Sequence, residues 1–170
     1  RLSETEYFMT TSTVQAARVM AWLEELLQTR WTDLKVHITT VSEQWCGVSV
    51  AGPKSRECIS KIVEDPNVMI NENLSFMGVI ETTLQSGILC RIARISFSGE
   101  MAFEIYVPSD DATAMMDMLW KEAQAAGGCL YGLEALGALR IEKGHVTGAE
   151  LDGRMTIDDV GLGKMASTKK

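Results

Sequence analysis

The sequence predicts an α+β protein, an antiparallel sheet with helices packed on one side. Three observations carry that reading. Segments with β-type and helix-type patterning follow one another as strand, helix, strand, strand, strand, helix. Neighbouring β-type segments are joined by turns too short for a crossover helix, at Ser86–Gly87 and at Gly99–Glu100. Residues 97–108, FSGEMAFEIYVP, alternate Met101, Phe103, Ile105 and Val107 with Ala102, Glu104 and Tyr106, so one face of that strand is apolar and the other mixed.

Each element follows in order. EYFMTT reads as a short strand, and STVQAARVMAWLEELLQTR as a helix in which Val14, Ala17, Ala21, Leu23 and Leu27 fall near helical spacing. Ser12 with Gln15 predicts a capping box at its start. LKVHITTVSEQWCGVSVAG holds two β-rich runs that break at Ser42–Glu43. Gly52–Pro53 ends the second run and opens a helix, KSRECISKIVED, with Pro53 near its first position. Asp65–Pro66–Asn67 stops that helix, and residues 66–74 read as loop. FMGVIETTLQSGILCRIARISFSG is a strand pair turning at Ser86–Gly87, and the alternating strand follows Gly99–Glu100. Pro108–Ser109–Asp110–Asp111 begins a helix through Ala126, its acidic first turn suited to the helix dipole. Gly127–Gly128 ends it, CLY is a brief strand, and GLEALGALRIEKG is a last helix closed by Gly144.

Composition limits the function classes. The chain has 170 residues, 46% hydrophobic and 23% charged, enough to bury a core and too apolar for disorder. A net charge of −7 argues against binding nucleic acid or an anionic membrane by electrostatics, and the basic pair Lys169–Lys170 is only the terminus. No apolar run has the ~18–20 residues of a membrane span, and no signal peptide opens the chain. Cys46, Cys58, Cys90 and Cys129 lack CxxC spacing and sit in apolar contexts, which points to buried, reduced thiols in a cytoplasmic protein. His37 and His145 are too few and too separated to predict a zinc site, so no metal is expected. The first residues read as a strand already under way and the last as a polar run without a closing element, so the chain is expected to be cut from a longer polypeptide.

Glu104 is the residue that the pattern leaves unexplained. A carboxylate in mid-strand either faces solvent or lines a pocket and binds a ligand. Tyr106 shares its face and either walls such a pocket or packs on the sheet. Gly99 marks a bulge or tight turn and Glu100 a surface charge. Arg140 and Glu142 read as a structural ion pair or cap on the last helix, and His145, just past its end, suits a helix C-terminus when protonated.

The ordered pair SFSGEMAFEIYVP and GLEALGALRIEKG resembles the folate-binding aminomethyltransferase family, the T-protein of glycine cleavage and its relatives. YFMTTSTVQAARVMAWLEELLQTRWTDLKVHITTVSEQW and AGPKSRE are similar to the heterotetrameric sarcosine oxidase branch of that family. The resemblance covers nearly the whole chain. It implies three parts: residues 1–41 as the end of a first lobe, 42–148 as a second α+β lobe with both motifs, and 149–170 as the start of a segment leading to a β-rich domain. It implies tetrahydrofolate as cofactor, with Glu104 as the pterin-binding glutamate and Gly99 and Tyr106 beside it. The implied activity is transfer of the imine carbon from sarcosine oxidation to tetrahydrofolate, giving methylenetetrahydrofolate and glycine. FAD, FMN and NAD are implied elsewhere in a hetero-oligomeric enzyme. Where the T-protein pattern carries a folate-contacting Arg beside an Asp, this chain has Leu136–Gly137, so that contact is not implied. The family's catalytic Asp falls upstream of residue 1; no catalytic residue is assigned, and these residues alone are expected to be inactive. Two alternatives stay open: a folate domain of aminomethyltransferase or dimethylglycine-dehydrogenase type with another methylated amine as donor, and a non-catalytic scaffold.

Overall fold

The strand order and turns build one sheet. In a computed structural model, which describes residues 1–166, strands β1 (Trp45–Ala51), β2 (Val79–Thr83), β3 (Leu89–Ala93) and β4 (Ala102–Pro108) lie in the order β1-β4-β3-β2, each pair antiparallel. Lys169–Lys170 lies outside the described residues. The β2–β3 hairpin closes as predicted, with the Leu84 N–H donating to the Ile88 carbonyl at 2.8 Å and Gly87 at φ 86°, a backbone state that favours glycine.

One face of the sheet holds the core. Phe103, Ile105 and Val107 of β4 and Cys90 and Ile92 of β3 are buried there, as the alternation requires. The face is covered by α2 (Ser55–Ser60) and α3 (Ala112–Ala125), which add Ile59, Met115 and Leu119 to the same cluster. The fold is therefore α+β, with those helices on one side of an antiparallel sheet. The helix α4 (Leu133–Lys143) follows, ends on Gly144 at φ 81°, and donates the His145 N–H back to the Arg140 carbonyl at 2.8 Å. Among the described residues no helix is long and apolar enough to cross a membrane.

Several expected elements form differently. The helix expected to run on toward Asp65 stops at Ser60, because the chain beyond it joins the sheet edge: Val63 bridges Leu84, and the Glu64 N–H donates to the Thr83 carbonyl at 2.9 Å. Pro53 then precedes the N-cap Lys54 instead of opening the helix. Pro66–Met69, expected as loop, winds into one 3₁₀ turn capped by the Asp65 side chain, which accepts from the Asn67 N–H. CLY is irregular backbone, and its Cys129 is exposed; Cys58 and Cys90 are buried, Cys46 is partly so, and all four thiols are free.

The chain divides into two compact units, Arg1–Ser42 and Glu43–Lys170. The first is built on helix α1 (Ala16–Thr29), preceded by a 3₁₀ turn over Thr13–Gln15. Its inward side is Val19, Met20, Leu23, Leu26 and Leu27, so the apolar stripe is rotated from the expected one; Val14 is 86% exposed. The Ser12 side chain makes no cap, since Ser12 begins the 3₁₀ turn through its carbonyl and Gln15 occupies the N-cap of α1. EYFMTT and the run before Ser42 are not strands: extended patterning needs a hydrogen-bonded neighbour, and these segments have none in a ladder among the described residues.

Candidate functional site

The second face of the sheet is where the unexplained carboxylate lies. Phe103 and Ile105 point into the core, so the period of two places Glu104 and Tyr106 together on the opposite face. Register sets Ser49 of β1 and Ala93 of β3 beside Glu104, and Gly47 and Arg91 beside Tyr106. The half-buried carboxylate has room on its β1 flank, beside Ser49, while Ala93 on the other flank is buried. The Tyr106 hydroxyl donates to Glu104 Oε2. With Gly47, Val48 and Ser49, these two side chains line a depression of about 190 Å³.

Sequence reasoning missed the contribution of β1. An ideal Cβ on Gly47 would stand 2.8 Å from Tyr106 Cε1, so the tyrosine ring lies directly over a strand glycine. A glycine inside a strand is the available signal for such a close approach. Next to this depression a wider trough of about 500 Å³ is lined by Trp45, Glu81, Leu89, Arg91 and Pro108 among others. Arg91 stacks its guanidinium 4.1 Å from the Trp45 ring centroid and donates from Nε to Glu81 Oε1 at 2.8 Å. The outer face thus carries the acid Glu104 and, one outward-facing position along, a braced cation.

Gly99 is placed differently from Glu104 and Tyr106. It sits in the turn before β4 at φ 90°, and the position of a Cβ there is filled by the Lys143 side chain at 2.9 Å. Its close approach is thus to helix α4, and it does not line the depression. The two sequence motifs nevertheless meet: beside the Gly99–Lys143 contact, His145 Nδ1 lies 3.0 Å from the Phe97 carbonyl, and the two rings are 5.9 Å apart. Arg140 pairs with Glu150 at 2.8 Å, beyond the helix, and not with Glu142. Leu136 and Gly137 stand midway along α4 as the sequence places them.

Chemically, a carboxylate on a rigid strand, open on one side and hydrogen-bonded at one oxygen, is suited to a planar ligand edge that presents paired N–H donors. Among the described residues, none lining the depression is a strong nucleophile, so it can bind and orient more readily than it can attack.

The GCVT N-terminal domain profile matches residues 1–170. The chain is 42% identical over 171 residues to sarcosine oxidase subunit alpha of Corynebacterium sp. (strain P-1) and 41% identical over 172 residues to that of Rhizobium meliloti (strain 1021). All of this chain is covered in both cases, against 18% and 17% of those proteins. An aminomethyltransferase of Listeria monocytogenes serotype 4a (strain HCC23) is 28% identical over 169 residues, covering 99% of this chain and 43% of that protein. The chain therefore spans less than a fifth of the length of the sarcosine oxidase subunits it matches.

Proposed function

Because the chain belongs to the GCVT N-terminal domain family, we propose that the outer face around Glu104 binds the pterin of tetrahydrofolate within a one-carbon transfer enzyme of sarcosine oxidase type. The observation that carries this is Glu104 itself, a half-buried carboxylate on the face of a central strand opposite the core, beside a depression and with small neighbours on both sides. A reduced pterin presents a ring N–H beside an exocyclic amine, a two-donor edge like the fork of a guanidinium. Glu104 accepts both, which fixes the ring's orientation as well as its affinity. Bound there, tetrahydrofolate supplies the nucleophilic nitrogens that take up the carbon of an imine and leave glycine. This chain's residues contribute positioning: strand β4 holds the carboxylate, and the sheet holds β4. Proton transfer needs an acid or base that this reading does not place within residues 1–170.

The sarcosine oxidase reading is preferred to a T-protein one for two reasons. The identity to the sarcosine oxidase subunits is higher, and Leu136–Gly137 replaces the Arg and Asp of the T-protein pattern. Flavin and nicotinamide cofactors, together with the other subunits of a hetero-oligomer, belong to the remainder of such an enzyme and to a cytoplasmic setting.

Glu104→Gln in the full-length protein tests the reading by calorimetric titration with tetrahydrofolate. The amide sets a donor against a donor, which costs roughly 1.5–3 kcal/mol, about tenfold or more in Kd. Unchanged affinity in a folded variant returns Glu104 to a solvent-facing role.

A further inference from the structure

We propose that Tyr106 is the positioning residue for Glu104, and that Gly47 exists as the slot that lets it act. This rests on the pterin-binding reading and assigns the orientation of its key carboxylate to a second side chain.

Three observations converge. First, the Tyr106 hydroxyl donates to Glu104 Oε2, so one carboxylate oxygen is held and the plane of the group is set before any ligand arrives. A free glutamate rotates about its terminal bond and must lose that freedom on binding; a carboxylate already fixed does not. Second, the tyrosine ring reaches this place because β1 has no side chain at position 47: a Cβ would lie 2.8 Å from Cε1 and 2.9 Å from Cδ1. Gly47 has no positive φ to explain it, so the space above it is what requires glycine. Third, Gly47 pairs directly with Tyr106 and Ser49 with Glu104, so both members of the device are referenced to the same strand and move with it. The oxygen engaged by Tyr106 keeps a lone pair, and Oε1 keeps both of its own, so two ligand donors can still be accepted.

The experiment is a double-mutant cycle in the full-length protein, read by calorimetric titration of tetrahydrofolate. Tyr106→Phe keeps the ring over Gly47 and removes only the hydroxyl, so the fold is retained. Its expected effect is a loss of affinity of about tenfold or more, as for removal of one hydrogen bond to a charged group. In a Glu104→Ala background the same Tyr106→Phe change should have no further effect, since the hydroxyl acts only through the carboxylate. Gly47→Ala, which pushes the ring aside, should weaken binding at least as much as Tyr106→Phe. Wild-type affinity for Tyr106→Phe, with Glu104→Ala still weakened, overturns the positioning role and leaves the pterin reading standing. An equal loss in both backgrounds also overturns it, because the hydroxyl would then act independently of Glu104. No loss on Glu104→Ala removes the binding reading itself, and the positioning role with it.

Discussion

Cys90 and Cys129 carry one functional group in two opposite settings. Cys90 lies on the core face of β3, 2% exposed, and burial pushes its thiol up from 9.0 to about 11. Cys129 follows the glycine pair after α3 and is exposed. Only a thiolate attacks, and at mildly alkaline pH the shift alone leaves Cys90 with about a hundredfold less thiolate than an unshifted thiol, before steric exclusion is counted. A disulfide-exchange reagent applied to the native protein should label Cys129 first and Cys90 only after denaturant is added, as peptide mass mapping would show. Early labelling of Cys90 would mean that the sheet opens far more readily than its packing allows. The sequence contexts of the two cysteines look alike, "LCRIARI" and "GGCLYG". Their difference comes from β3 having a partner on each side and CLY having none in a ladder.

Elements were legible in the sequence where their signals are local. The β2–β3 hairpin, β4 and the glycine-closed end of α4 follow from alternation and from glycines at positive φ, information contained within a few neighbouring residues. The early end of α2 was not legible, because it depends on Val63 finding Leu84 across the fold, and neither was the value of Gly47, which depends on Tyr106. Glu104 stood out as an anomaly, but its partner could be found only once register was known. The C-terminal end of α4 shows the same limit: Arg140 pairs with Glu150, a residue that helical spacing could not nominate. The Thr147 backbone N–H at 2.7 Å, and then Arg140, hold the Glu150 carboxyl below its ordinary value of 4.5. A depressed acid stabilises the folded form above about pH 4.5 and loses that contribution as pH falls through its own lower value. The segment after α4 should therefore loosen below about pH 4.5 while the sheet persists. The protection of the Thr147 amide, its exchange rate relative to the intrinsic rate at each pH, should fall on acidification in the wild type, and Glu150→Gln should remove most of that dependence. A Thr147 amide equally protected at both ends of the titration would show that the node is not held by charge.

At the scale of the molecule, the buried cluster belongs to one unit. Its members run from Ile59 to Leu119, all within Glu43–Lys170, and join the inner sheet face to α2, α3 and the loop through Met69 and Leu74. Polar links reinforce the same set of elements. Arg56 of α2 and Arg94 after β3 both donate to Asn71 Oδ1 at 2.9 Å, and Lys54 donates to the Ala126 carbonyl at the end of α3. In the first unit, Leu26 of α1 is buried. A unit with its own sheet, covering helices and core meets the physical requirements for folding alone. We expect residues 43–170, produced without residues 1–42, to unfold cooperatively in urea with a stability of the ordinary ~5–15 kcal/mol. Slowly exchanging amides should remain at Ile92 and Ile105, whose side chains are fully buried in the sheet centre. A non-cooperative transition with those amides exchanging freely would mean that the core does not close within residues 43–170 alone.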